Sequence, residues 1–425
     1  MEESSEIILS KNEKEVNYTS NYKILRKREK RKDLFNKTNI IIKNKIINPE
    51  INNNDNKQIK KIRNPGIDIV RLLTMYCILI THSMRFGKAY SYFNKYERIL
   101  RLIQSFLSWN NNAFILISGI VGYKTNKYSN LLYLWLIVIF YSVGIHKYII
   151  TYKKEYHVNR ENDKIFYPMV FNLYWYFTTY FGMYLFLPVI NKGISLLSKY
   201  EFRLVVMSTL GILVFWKDYK NIKEDVFHIN HGNSIIWFLI FYLTGAYIGK
   251  YRVDYNGFKK YLYCFICGVI FTLASFIYFK FNIKEYYFLI GNKKIEIPTF
   301  LRELPFEDFN SVLKIVQSIT LCLFFLQIHY NKYIAKIICF FGPLAFSIYL
   351  IYSNPIFLGN VINKLFINQP RNSSLKSLIS LLLIKSFKRS VLCLVIDYLR
   401  HLLFSLFKIK NLLFFIEIKM KEKLS

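Results

Sequence analysis

Long apolar stretches, each fenced by short polar segments, recur along the chain between residues 66 and 399. A helix that crosses a bilayer takes about 20 mostly apolar residues. Windows of that kind fall at 66–83, 102–123, 131–151, 170–190, 203–216, 234–249, 261–280, 311–329, 338–357 and 377–399. The pattern predicts an all-α, polytopic transmembrane helix bundle of about ten spans. Residues 1–65 contain no apolar run of crossing length and no cleaved-leader pattern, so the first span is expected to act as the signal. Three regions follow: a basic, disordered tail over 1–65, a membrane domain over 66–404, and a basic amphipathic C-terminal tail over 405–425.

Charge refines this picture. Lys and Arg number 59 against 27 Asp and Glu, a net charge of +32, which in a soluble chain would raise nucleic-acid binding. With 53% hydrophobic residues gathered into the apolar runs, no polar surface is left to carry such a partner, and nucleic acid is not expected. Lys60, Lys61 and Arg63 stand directly before the first span and place the N-terminus in the cytoplasm under the positive-inside rule. Alternation then puts 124–130, 191–202, 250–260 and 330–337 inside, and 84–101, 152–169, 217–233, 281–310 and 358–376 outside. Cys264 and Cys267 form a C-x-x-C with no second pair at zinc spacing, and no metal is expected. Lys385, Lys388 and Arg389 fall inside the last window on one helical stripe, which leaves two readings open: a cavity-facing basic stripe, or an interrupted segment.

The first window contains two ionisable residues, Arg71 and His82, with ten residues between them. At about 100° per residue they share a helix face, and at about 1.5 Å rise they stand roughly 16 Å apart along it. They cannot touch, so they would address two ends of one ligand or channel. Arg71 would lie near the cytoplasmic surface, where phosphate-bearing metabolites are found, and His82 deeper. The alternatives are that Arg71 snorkels to headgroups and that His82 only hydrogen-bonds within the bundle.

Asp68, Arg71 and His82 in a first membrane helix resemble the acyltransferase-3 family of multipass membrane O-acyltransferases, especially its bacterial surface-polysaccharide O-acetyltransferase branch. Further segments are similar to that family in order: NNAFILISGIVGY with Asn112, Ser118 and Gly119; LWLIVIFYSVGI; LYWYFTTYFGMYLFLPVINK with Trp175, Pro188 and Asn191; IIWFLIFYLTGAYIGKY; FNSVLKIVQSITLCLFF; and VIDYLRHLLF with Asp397 and Arg400. The resemblance spans about 66–404. One departure stands in SIYLIYSNP, where Tyr352 occupies the place of a second family histidine and Asn354 remains. A tyrosine donates a hydrogen bond but takes no proton near neutral pH.

The resemblance implies transfer of an acyl group, usually acetyl, from acetyl-CoA or another acyl-CoA to a hydroxyl of a glycan or lipid-linked sugar. It casts His82 as general base and Arg71 as the group that holds coenzyme A phosphate or polarises the donor. Asn112, Ser118, Trp175, Tyr352 and Asn354 become candidate substrate contacts, with helix packing as the alternative for each. A transporter or flippase for a glycan precursor, and a degenerate homologue impaired at Tyr352, are the rival readings.

Overall fold

The computed structural model describes residues 64–125, 127–152, 162–215, 225, 227–251, 262–263, 265–270, 272–274, 309–366, 370 and 373–424. The expected tail over 1–65 lies outside these residues except for its last two positions, as does part of the 261–280 window. Every regular element among the described residues is helical. The longer helices are α1 (Pro65–Phe86), α2 (Glu97–Leu107), α3 (Asn110–Gly122), α4 (Tyr128–Tyr152), α5 (Trp175–Leu196), α6 (Lys199–Leu210), α7 (Ile235–Lys250), α8 (Val312–Gln327), α9 (Lys332–Phe341), α10 (Phe346–Tyr352), α11 (Leu375–Leu406) and α12 (Ile409–Leu424). By length and composition three stretches among the described residues are able to cross a membrane: Pro65–Phe86, Tyr128–Thr151 and Lys332–Tyr352, the last being α9 and α10 joined by a 3₁₀ turn at Gly342–Leu344. The apolar helices α7 and α8 are shorter.

α1 is the central rod of the bundle, and its ends follow from local sequence. Asn64 accepts the Gly66 N–H at 2.8 Å, Pro65 occupies the first turn where no donor is needed, and Asp68 complements the dipole. The Asn64 amide also donates to the Leu326 carbonyl at the end of α8, so one residue starts one helix and closes another.

α3 and α7 pack most closely, because glycines face each other across them. A Cβ on Gly245 would stand 2.1 Å from the Leu116 carbonyl oxygen, and one on Gly119 2.1 Å from that of Tyr242. Small residues at such crossings let backbones approach where lipid offers no hydrophobic drive of its own. Around this pair sits the core, with Trp237, Phe238, Phe241, Tyr242, Phe177 and Leu79 buried. Asn191 on α5 accepts from the Tyr242 hydroxyl at 2.9 Å and donates to the Gly122 and Thr125 carbonyls, closing the end of α3. Lys250 likewise donates to the Ile194 and Leu197 carbonyls and closes α5.

Two expected windows have breaks. The 102–123 window divides at Ser108–Trp109 into α2 and α3. The 338–357 window begins earlier, at Lys332, and bends at Pro343 and again at Ser353–Pro355. The 377–399 window shows the opposite: α11 runs unbroken from 375 to 406, so the reading of an interrupted segment at Lys385, Lys388 and Arg389 is corrected. Its continuity is kept by one buried stripe, Leu378, Leu382, Ser386, Ser390, Cys393, Asp397, Arg400 and Phe404, at the helical period. Asp397 and Arg400 form a buried two-bond ion pair at 2.7 and 2.9 Å, to which Tyr141 of α4 adds a hydrogen bond at 2.8 Å and Tyr133 another at 3.3 Å.

Candidate functional site

A cavity of about 520 Å³ opens at the C-terminal end of α1. Its size is that of a small-molecule site. α1 contributes Thr81, His82 and Arg85; the α2–α3 corner contributes Gln104, Ser108, Asn110 and Asn111. Trp175 and Thr179 come from the start of α5, Phe309 from the segment before α8, and Asn172, Asn230 and Asn233 from loops. Ser353 comes from the turn after α10.

His82 is held on several sides. The Tyr352 main-chain carbonyl lies beside its ring. Ser353 Oγ lies 3.4 Å from Nδ1, and Phe86 packs edge-on at 5.2 Å. A base whose ring is clamped while one side opens to a cavity is arranged for proton transfer to or from a ligand.

The floor beside it is aromatic. Trp175 and Phe309 lie nearly parallel, 15° apart with centroids at 6.4 Å. Behind them Asn112, fully buried, donates to the Phe309 carbonyl at 2.6 Å and accepts from Trp237 Nε1 at 3.0 Å. Asn172 and Asn230 carry left-handed backbones, φ 51° and 50°, which asparagine tolerates better than most residues. The second loop is pinned by Asp225, which accepts the N–H groups of Ile229 and Asn230.

The corner that presents Gln104, Ser108, Asn110 and Asn111 is built from a distance. Lys314 of α8, with no exposed surface, donates to the Ser105 carbonyl at 2.6 Å and to its hydroxyl at 3.0 Å. Gln317 donates to the Phe106 carbonyl at 2.8 Å, and Ser318 to that of Trp109 at 3.1 Å. Ser105 and Phe106 lie in the last turn of α2 and Trp109 stands directly before α3, and a cation at that turn also meets the negative end of the α2 dipole.

Of the residues singled out by sequence, His82 and Trp175 line the cavity. Tyr352 and Asn354 flank it through Ser353: Asn354 accepts the N–H groups of Ile356 and Phe357, which builds the turn, and donates to the Tyr174 hydroxyl, which ties the turn to the start of α5. Asn112 supports the wall from behind. Arg71 lies toward the opposite end of α1, 3.0 Å from Asp68, and Ser118 donates to the Phe114 carbonyl of its own helix; neither is in the cavity lining. Lys385, Lys388 and Arg389 do not line this cavity either. Sequence reasoning missed Ser353, Arg85, Gln104 and the loop asparagines. The run Asn110–Asn112 at a helix start was a signal for its first two members; the loop asparagines left none.

Among the described residues no group of three or more His, Cys, Asp or Glu side chains could hold a metal ion. A family model described as an acyltransferase domain matches residues 64–385, beginning at the residue that caps α1 and ending inside α11. No curated protein and no solved structure matches the chain.

Proposed function

Because the chain belongs to the acyltransferase-3 family and is a membrane acyltransferase, we propose that it transfers an acyl group, acetyl first, from acyl-CoA to a hydroxyl of a glycan or lipid-linked sugar bound in the His82 cavity. The observation that carries this is the chemistry of the cavity wall. Amides and hydroxyls surround an aromatic pair beside one clamped imidazole. Primary amides offer both donors and acceptors to sugar hydroxyls, and the aromatic faces suit the apolar side of a sugar ring.

In this reading the His82 ring takes the proton from the attacking hydroxyl, a role worth about 10²–10⁴-fold in rate. Arg71, roughly 16 Å away along the same rod, binds coenzyme A phosphate near the inner face. That separation suits a long thin donor whose thioester end reaches His82 while its charged end stays outside. The surface-polysaccharide branch, a bundle of about ten spans and a cytoplasmic N-terminus belong to the same proposal. Tyr352 in place of the family histidine is compatible with it, since what Tyr352 gives His82 is a main-chain carbonyl.

Labelled acetyl-CoA is supplied to membranes holding the intact protein, with His82→Ala and Arg71→Ala at equal abundance, and label in carbohydrate is measured. Transfer by the parent, its fall by about 10²–10⁴-fold in His82→Ala, and a raised donor KM in Arg71→Ala are expected. Equal transfer by all three would overturn the site. No transfer to any carbohydrate fraction by the parent would leave the transporter or the degenerate homologue as the better account.

A further inference from the structure

One hydroxyl in the cavity has no part in that scheme. Ser353 caps the C-terminus of α10: its N–H donates to the Tyr349 carbonyl at 2.8 Å, and its backbone sits at φ −100°, ψ 0°, the sparsely allowed bridge region where active-site residues are often found. The next residue, Asn354, locks the turn by capping the single helical turn Pro355–Phe357. The Ser353 side chain is half-buried and lines the cavity, with Oγ 3.4 Å from His82 Nδ1. The Tyr352 main-chain carbonyl lies beside the same imidazole, and Phe86 packs edge-on against it at 5.2 Å. A hydroxyl facing a base, and the base oriented by a further group, is the general pattern of an activated nucleophile, and such contacts are often loose before substrate binds. Arg85, Asn110 and Asn111 lie in the same lining and offer donors to a developing oxyanion.

We propose that Ser353 carries the acyl group covalently between donor and acceptor. The inference rests on the acyl-CoA reading above. Ser353 Oγ attacks the thioester carbonyl while His82 takes its proton. The C–S bond then breaks, and the coenzyme A thiolate leaves with that proton, giving an acyl-serine ester. An acceptor hydroxyl next attacks the ester carbonyl, its proton passing to His82. The bond from carbonyl carbon to Ser353 Oγ breaks, and His82 returns the proton to the serine. Donor and acceptor would approach His82 from opposite ends of α1, and a covalent stage lets one cavity serve them in turn.

The test uses the full-length protein with labelled acetyl-CoA and no added carbohydrate, quenched in acid and mapped by peptide digestion. Expected are label on the peptide holding Ser353 in the parent, its disappearance when carbohydrate acceptor is added, and its appearance in product. Ser353→Ala loses the label and drops transfer by about 10²–10⁴-fold, whereas Ser353→Cys keeps the label as a thioester, which shows that the site has folded. A parent that transfers acetyl but carries no label, with Ser353→Ala still active, overturns the covalent stage and leaves the function standing. Label on Ser353 with full transfer by Ser353→Ala overturns it too. A parent that neither transfers nor labels removes both proposals.

Discussion

The Tyr352–Ser353–Asn354 triplet shows how differently neighbouring residues serve one site. Tyr352 contributes its carbonyl, Ser353 its side chain, and Asn354 the bonds that hold the turn. Tyr352→Phe removes only a hydroxyl and keeps both the carbonyl and the ring that packs on Phe357, so acyl transfer is expected at the parent's order of magnitude in a labelled-donor assay. Inactivation by this change would mean that the phenol itself takes part. Asn354→Ala leaves the Tyr174 hydroxyl and two backbone donors of a buried turn without their acceptor or donor, at roughly 1–3 kcal/mol for each unsatisfied group. A lower unfolding temperature and weaker transfer together are the expected readout. His82 was legible because an ionisable residue inside an apolar window is conspicuous. Ser353 was not, because serine is ordinary in a membrane helix and only the fold brings it to the imidazole.

Helix boundaries were legible where their cause is local and illegible where it is remote. Asn64-Pro65 announces the start of α1, and Pro343 marks the bend between α9 and α10. The break at Ser108–Trp109 has no such mark. The Ser105, Phe106 and Trp109 carbonyls around it accept from Lys314, Gln317 and Ser318, some 200 residues later in the chain. Lys314→Met should therefore disturb the corner that carries Asn110 and Asn111. Acceptor KM is expected to rise about tenfold, equivalent to 1.4 kcal/mol, while donor-only chemistry changes less; an unchanged acceptor KM would count against the corner as a binding element. Gly245→Ala tests the α3–α7 crossing. Its new methyl meets backbone rather than a movable side chain, and overpacking of this kind costs about 1–3 kcal/mol, to be read as a lower midpoint of thermal unfolding in detergent.

At the scale of the whole molecule, a carboxylate of α12 is hydrogen-bonded to the start of α4, a helix long and apolar enough to cross a membrane. Glu417 of α12, buried, accepts the Tyr128 and Ser129 N–H groups at the start of α4, at 3.3 and 2.9 Å, with Lys421 at 2.8 Å. Burial opposes its charge, but the Lys421 ammonium and the Ser129 hydroxyl and amide outweigh burial and hold its pKa at about 2, below the ordinary 4.5. A depressed carboxylate stabilises the folded contact fully above its ordinary pKa and loses that contribution as pH falls toward its folded one. Protection of the α12 amides, their exchange taken relative to the intrinsic rate at each pH, should thus be high above about pH 4.5 and fall between there and about 2. Glu417→Gln should remove that pH dependence; its persistence would assign it to other groups. The amphipathic tail read from composition is thus a helix with a defined attachment, invisible in sequence because its partner is the far end of another helix.

α1 carries Arg71 and His82 on one face of a continuous helix, and this makes angular phase the sensitive coordinate of the site. Inserting one residue between them would lengthen their spacing by only about 1.5 Å but swing His82 around the axis by about 100°, away from the cavity and from the carbonyl that clamps it. Inserting seven would nearly restore the angle while adding about 10 Å. The two insertions separate aim from reach, and the shorter one is expected to be the one that silences His82 more completely.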